Sequence, residues 1–139
     1  MLILILENQR SYAETVKEYL ETCGHTIVFV NTTNMSVDNA LAEAAKHQPN
    51  RVLVDCRWND TDSHDRRGVS FVRRWRGKAV LMSGDTVEGY DGPFVSKRAG
   101  LAAIEKALQW KPTAFVTPVG TRFEQSCPYF FISRVLFRY

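Results

Sequence analysis

Asp55 is the residue whose type and position most clearly suggest chemistry. It ends the segment Arg51–Asp55, in which a run of valine and leucine stops at a carboxylate. Buried parallel strands read as apolar runs, and the ligands of α/β proteins bind at the carboxyl ends of such strands. We therefore predict that Asp55 belongs to a functional site.

Polar side chains end three other apolar runs of the chain in the same way. They are, in chain order, Glu7 with Asn8, Ser83, and Lys97. The carboxyl ends of parallel strands meet at one edge of a sheet. We therefore expect these residues to form one polar cluster with Asp55.

Phosphoryl transfer is the chemistry that suits this set of side chains. The carboxylate of Asp55 would be the nucleophile, while the ammonium of Lys97 would compensate the incoming charge and the hydroxyl of Ser83 would donate a hydrogen bond. Glu7, Asn8 and Asp55 offer the hard oxygen ligands that Mg²⁺ prefers. The sequence therefore predicts an aspartyl phosphate on Asp55, with Mg²⁺ as the cofactor.

The first half of the chain alternates strand and helix patterns. Ser11 and Glu14 have the spacing of a capping box, and apolar residues then recur at helical spacing until Gly24. A β-branched strand follows at 26–30, and a second helical pattern ends before Pro49. This order predicts a three-layer α/β fold, in which a mostly parallel sheet lies between two layers of helices.

The connections between the later strands depart from simple alternation. A polar stretch at 57–68 follows Asp55 directly, and a short helical pattern at 69–75 precedes the strand that begins at Ala79. Residues 84–93 carry turn signals, whereas 101–108 have helical periodicity. We therefore expect the crossover helix between the fourth and fifth strands to be reduced or absent.

The chain divides at about Trp110 into a domain and a tail. We assign 1–110 to the domain and 111–139 to a C-terminal segment rich in proline and aromatic residues. Exposure of so many aromatic side chains would be unfavourable, so we expect the tail to pack on the domain or at an interface with a second copy. Binding of another protein by the tail, and disorder of the tail, remain alternatives.

Composition and charge are those of an ordinary globular protein and do not indicate a particular function. The chain has 139 residues with a net charge of +3 and a pI near 8.9, which fits one globular domain and is only mildly basic. Three scattered cysteines lack metal-ligand spacing, and the opening apolar run is too short for a membrane segment. These features predict a cytoplasmic protein with no membrane partner.

Taken together, the four strand ends resemble those of response regulator receiver domains, the chemotaxis-type, flavodoxin-like family of two-component signalling. The resemblance covers 1–110 and implies a doubly wound five-stranded sheet in the order 2-1-3-4-5. It implies that Asp55 is the phosphoacceptor, that Ser83 and Lys97 bind phosphate, and that Ser83 and Phe94 act as switch residues. It further implies a Mg²⁺ site built from Glu7, Asn8, Asp55 and the backbone carbonyl of Arg57.

Two residues depart from the pattern of that family. Asn8 replaces the second acid of the metal-binding pair, which removes one charge and weakens the expected Mg²⁺ site. Arg98 stands where the family has a proline after the lysine. The stretch after Asp55 is also longer and more charged than in the family, so the domain is an atypical member of it.

Three functions follow from these observations. The first is a single-domain receiver that takes a phosphoryl group from a histidine kinase or phosphotransfer protein and signals through protein contacts, without being an enzyme beyond self-catalysed phosphotransfer and dephosphorylation. The second is a phosphorylation-independent interaction module with the same fold. The third and weakest is nucleic-acid binding, which we do not expect. Each of these functions is compatible with a homodimer.

The charged residues outside the strand ends have simpler explanations. Acidic and histidine side chains of the polar stretch lack the spacing of a metal loop, so we interpret them as solvated charges: Asp60, Asp62, His64 and Asp65. The basic residues between 66 and 78 are interpreted as a solvated helix face, and Trp75 as a core residue.

Overall fold

The computed structural model of the chain describes residues 1–111, which form a parallel sheet flanked by helices. The elements are β1 (Leu2–Glu7), α1 (Arg10–Thr22), β2 (Thr26–Asn31), α2 (Val37–His47), β3 (Arg51–Asp55), α3 (Arg67–Arg74), β4 (Ala79–Ser83), β5 (Phe94–Ser96) and α4 (Leu101–Leu108), with a single 3₁₀ turn at Lys97–Ala99. Our predictions for the tail concern residues that lie almost entirely outside this range.

The sheet has the strand order β2-β1-β3-β4-β5, and all of its pairings are parallel. Leu6 pairs with Val54, Val54 with Leu81, and Leu81 with Phe94. Because the register is continuous, β1, β3, β4 and β5 end at the same edge of the sheet. The predicted doubly wound α/β fold is confirmed.

Side-chain alternation along the strands produces the two helical layers. Odd-numbered residues of β1, such as Ile3 and Ile5, pack with Leu20 and Ile104 of α1 and α4. Even-numbered residues, such as Leu4, pack instead against α2 and α3. Since strand side chains point alternately to the two faces, a sheet covered on both sides needs the uninterrupted apolar runs seen in the sequence.

The start of α1 differs from the prediction. The helix begins at Arg10, after Gln9 as the N-cap residue, and no side chain caps it. Ser11 is instead an exposed residue of the first turn, so the predicted capping box is wrong. The carboxylate of Glu7 accepts hydrogen bonds from the backbone N–H groups of Asn8 and Gln9, both at 3.0 Å, and so holds the turn that leads into the helix.

Between β4 and β5 the chain forms no helix, as the turn signals predicted. Val87 and Tyr90 from this connection are buried and pack against Cys56, Val69 and Leu81. Two inward-facing side chains thus cover an area of the sheet that a crossover helix would otherwise cover. Within residues 1–111, no helix is long and apolar enough to cross a membrane.

Candidate functional site

A polar cavity of about 180 Å³ opens at the carboxyl edge of the sheet. Its wall includes three of the predicted site residues at strand ends, Asp55, Ser83 and Lys97, together with Arg57. The parallel register explains this convergence, since β3, β4 and β5 all end here. Residues at these strand ends therefore lie together at the cavity, although they are far apart in the sequence.

Lys97 is the centre of a buried ion cluster. Its Nζ lies 2.8 Å from Oε2 of Glu7 and 3.0 Å from Oδ1 of Asp55, and it sits 4.7 Å from the centre of the Tyr12 ring. Glu7 is completely buried and Asp55 is 5% exposed. One ammonium therefore lies between two carboxylates that water hardly reaches, and its charge can balance only one of them.

Burial and mutual repulsion raise the pKa of the Asp55 carboxyl to about 7. Removal from water is the larger cause and the Glu7 carboxylate the next, while Lys97 acts in the opposite direction. The pKa of Lys97 is raised, because its attraction to Asp55 and Glu7 outweighs the effect of its own burial. Lys97 thus remains a cation, and the Asp55 carboxyl that it faces is only partly ionised at neutral pH.

The remaining predicted residues lie around this cluster in different ways. Ser83 is partly exposed, and its hydroxyl accepts a hydrogen bond of 3.3 Å from the N–H of Asp85. Phe94 is partly buried and packs with the Val87 and Tyr90 cluster. Glu7, Asn8 and Phe94 do not line the cavity, and the Asn8 side-chain oxygen is buried without a hydrogen-bond partner.

The residues that could hold Mg²⁺ form a sparse set. No three acidic, histidine or cysteine side chains within residues 1–111 are grouped so as to hold a metal ion. Of the predicted ligands, Asp55 and Arg57 line the cavity, and the unpartnered Asn8 oxygen adds a further donor of the right kind. These hard oxygens fit Mg²⁺ in chemistry, although Glu7 is already committed to Lys97.

The polar stretch after β3 is built around Asp65, which the sequence analysis interprets as a solvated charge. That interpretation is wrong, because Asp65 is 7% exposed. Its carboxylate accepts hydrogen bonds from the N–H groups of Trp58, Asn59 and Arg67, and it pairs with the Arg67 guanidinium at 2.8 Å. The pKa of Asp65 falls to about 2, since these bonds outweigh the effect of burial, which is the largest single cause and acts to raise it.

The same stretch is fastened to the end of β3. The indole N–H of Trp58 donates to the backbone carbonyl of Asp55 at 2.8 Å, and Trp58 is 1% exposed. The N–H of Gly68 donates to the Cys56 carbonyl at 3.1 Å. The backbone that carries Asp55 is therefore held by the connection that follows it.

Asp60 and Arg66 are among the cavity-lining residues that the sequence analysis did not assign to the site. Asp60 accepts a hydrogen bond of 3.1 Å from the Gln9 side chain, and a bond from the Asn8 side chain is the main cause that lowers its pKa. The remaining acid and histidine of this stretch, Asp62 and His64, are exposed as predicted. Asp60 and Arg66 sit in charged runs with no local signal, so only the loop conformation identifies them.

Comparisons with known proteins indicate the same fold. No protein-family model and no curated protein matches the chain. Among solved structures, a CheY-like response regulator receiver domain from Methylobacillus flagellatus is 28% identical over 78% of this chain and 96% of its own length, with a TM-score of 0.57. The BeF₃-activated receiver domain of Klebsiella pneumoniae RstA is 18% identical over 78% and 99% of the two chains, with a TM-score of 0.56.

A third neighbour is a response regulator protein from Burkholderia pseudomallei with a phosphorylated aspartic acid, at 20% identity and a TM-score of 0.59 over 78% of this chain and 66% of that one. The chain spans only a third, 33%, of the matched PhyR proteins from Bartonella quintana and Brucella abortus. With its strand order, its strand-end residues and these neighbours, the chain has the fold of the CheY-like response regulator receiver domains.

Proposed function

We propose that this domain accepts a phosphoryl group on Asp55 from a histidine kinase or a phosphotransfer protein, and that it signals through protein contacts. The observation that carries the proposal is the ion pair of 3.0 Å between Asp55 and Lys97 at the wall of a polar cavity. A nucleophilic carboxylate, a fixed cation and the Ser83 hydroxyl are groups that phosphoryl transfer to an aspartate uses.

The proposed step is a displacement at phosphorus. A carboxylate oxygen of Asp55 forms the new P–O bond as the P–N bond to the donor histidine breaks, and the electron pair of that bond remains on the imidazole. Lys97 neutralises charge on the transferred group, and Ser83 donates a hydrogen bond to one of its oxygens. Two structural neighbours support the proposal, since one contains a phosphorylated aspartic acid and the other is BeF₃-activated.

Mg²⁺ forms part of the proposal as a weakly held cofactor. Asp55, the Asn8 side-chain oxygen and the Arg57 carbonyl would hold it, with waters in the remaining positions. When bound, the ion supplies positive charge that offsets the negative charge of the phosphoryl group. Because Glu7 is occupied by Lys97, we expect a higher Mg²⁺ requirement than for a site with two free acids.

Phosphorylation can be tested with a small-molecule donor. Incubation of the wild-type chain with acetyl phosphate and Mg²⁺ should add one phosphate, detected by intact mass, and the adduct should be lost on treatment with hydroxylamine. Asp55→Asn should show no adduct. Asp85→Asn is the matched control, because Asp85 lines the same cavity but is exposed and pairs with Arg98. An adduct that persists in Asp55→Asn would contradict the proposal.

A second function is favoured by one feature of the ion cluster. Lys97 already pairs with both Glu7 and Asp55, so its positive charge has partners within the domain itself. A phosphorylation-independent interaction module would use the fold in this state. It predicts that acetyl phosphate adds nothing even at high Mg²⁺, and that a selected binding protein has equal affinity for wild type and Asp55→Asn.

A further inference from the structure

Arg66 joins the cavity to the connection between β4 and β5. It immediately precedes α3 and lines the same cavity as Asp55, Ser83 and Lys97. At the same time its Nη1 donates a hydrogen bond of 2.7 Å to the backbone carbonyl of Glu88. One guanidinium thus lies at the wall of the phosphoacceptor site while it holds a carbonyl of the neighbouring segment.

A second arginine makes a similar contact away from the cavity. Arg73 lies two helical turns further along α3, and its Nη2 donates to the carbonyl of Gly89 at 3.3 Å. Both arginines are exposed, but Arg73 does not line the cavity. The chain therefore offers two comparable contacts between α3 and the same segment, of which only one is within the site.

The conformation of the segment 84–93 is stabilised by few hydrogen bonds, so each side-chain contact to it matters. It has no helix, and its internal backbone hydrogen bonds include only the weak one of 3.3 Å from Tyr90 N–H to the Val87 carbonyl. Val87 and Tyr90 fix its inner side, whereas Asp85, Glu88 and Gly89 are exposed. A segment with few backbone hydrogen bonds opens at low free-energy cost, so the loss of one side-chain contact can change its local stability.

We infer that Arg66 is an additional phosphoryl-binding residue and that its transfer from the Glu88 carbonyl to the phosphate is how this segment responds. The inference rests on the proposed function and extends it to a route of output. A phosphoryl group on Asp55 carries roughly two negative charges and three oxygens that accept hydrogen bonds. A guanidinium bonds to phosphate oxygens more strongly than to a neutral carbonyl, and it can do so with two parallel hydrogen bonds.

The exchange of partners has a local consequence. When Arg66 binds the phosphate, the Glu88 carbonyl loses its hydrogen-bond donor and becomes hydrated instead. Arg73 keeps the Gly89 carbonyl, and Val87 and Tyr90 keep their buried positions. Phosphorylation should therefore loosen the backbone of residues 85–90 and leave 91–93 unchanged, which alters the surface beside α3 that a protein partner would meet.

The test compares the full chain as wild type, Arg66→Met and Arg73→Met, each with Mg²⁺ and with or without beryllofluoride. Fluorine NMR measures beryllofluoride binding, and amide hydrogen exchange measures opening of 85–90 at Tyr90, whose N–H bonds to the Val87 carbonyl. Wild type should bind beryllofluoride and then exchange several-fold faster in this segment. Arg73→Met should show the same relative increase. Arg66→Met should exchange fast from the start, show no further increase, and bind beryllofluoride about tenfold more weakly.

The outcomes separate this inference from the function on which it rests. Absence of beryllofluoride binding to wild type would contradict the proposed function and, with it, the role of Arg66. Binding with no change of exchange in wild type, or with an equal increase in Arg66→Met, would overturn the Arg66 inference alone. An equal loss of the response in both arginine variants would also overturn it, since the effect would then reflect general loosening of the segment.

Discussion

Two connections border the cavity of this domain, and they are stabilised by opposite means. The one after β3 is organised by a buried carboxylate, since Asp65 bonds to three backbone N–H groups and to Arg67. The one after β4 is held on its inner side by the apolar groups of Val87 and Tyr90 and on its outer side by arginine contacts to carbonyls. The first leads into the crossover helix α3, whereas the second takes the place of a crossover helix.

The difference assigns different tasks to the two connections. A buried carboxylate with several donors is stable only when all of its partners are in place, so the first connection is held in one conformation and fixes the backbone of Asp55. Exposed arginine contacts to neutral carbonyls can be made and broken separately. The first connection therefore suits positioning of the site, and the second suits a response to it.

Replacement of Asp65 should give the largest loss of stability. Asp65→Ala leaves the N–H groups of Trp58 and Asn59 without an acceptor and removes the ion pair with Arg67. Because Arg67 is 32% exposed and can be rehydrated, we expect the lower end of the usual cost for breaking a buried pair, about 3 kcal/mol of the free energy of unfolding. Urea denaturation of the wild type and the variant measures this loss of stability.

Asp62→Ala is the control in the same connection. Asp62 is exposed and its carboxylate accepts a hydrogen bond from the N–H of His64. Its loss should cost less than about 1 kcal/mol. Equal effects of the two substitutions would mean that the connection is stabilised by its overall charge and not by the buried Asp65, and the contrast between the two connections would be lost.

A pair of glycines, one next to each connection, should give the next largest effect. A Cβ at Gly68 would overlap the Asp55 carbonyl oxygen and lie 2.8 Å from its carbon, whereas a Cβ at Gly84 meets no atom within 4 Å. Gly68→Ala should therefore cost about 2 kcal/mol, even though alanine favours a helix. Gly84→Ala should be neutral or slightly stabilising, by up to about 1 kcal/mol.

Both glycine variants are measured by thermal unfolding together with phosphorylation by acetyl phosphate. Gly68→Ala should also slow the reaction, because the clash is with the backbone of Asp55, the proposed phosphoacceptor. A Gly68→Ala protein as stable as wild type would show that the end of β3 can shift freely, contrary to the fixed position that we assign to Asp55.

The stability conferred by Asp65 should disappear in acid. Its pKa in the folded protein, about 2, lies below the ordinary value of 3.8, so its contribution is complete above about pH 5 and is lost as the pH falls from there towards 2. The difference in unfolding free energy between wild type and Asp65→Ala should shrink by about 2 kcal/mol over this interval. The difference for Asp62→Ala serves as the reference, and a parallel decline would argue against a role specific to Asp65.

The sequence predicts the fold well because its signals are local. Apolar runs and helical periodicity lie within single elements, and the turn signals at 84–93 were enough to predict the missing helix. The start of α1 was predicted wrongly because the helix begins one residue before Ser11, and the turn before it is held by Glu7 through the N–H groups of Asn8 and Gln9.

The candidate site is predictable only in part. Residues at strand ends are brought together by register, so Asp55, Ser83 and Lys97 could be grouped before the structure was known. Asp65 and Arg66 could not, because their environment depends on how a polar connection folds. Asp65 has the same sequence surroundings as the exposed acids of its connection, and Arg66 has those of the other arginines nearby. Only their three-dimensional contacts distinguish them.

Tyr90→Phe should have the smallest effect and gives a direct test of how the second connection is held. The Tyr90 hydroxyl donates to the Pro93 carbonyl at 2.9 Å, but that carbonyl also accepts the N–H of Leu81, so removal of the hydroxyl leaves it bonded. The ring stays in its buried place, and the cost should be about 0.5 to 1 kcal/mol by urea denaturation. A loss above about 2 kcal/mol would show that this connection also depends on a polar anchor, as the Asp65 connection does, and would leave it less able to respond on its own.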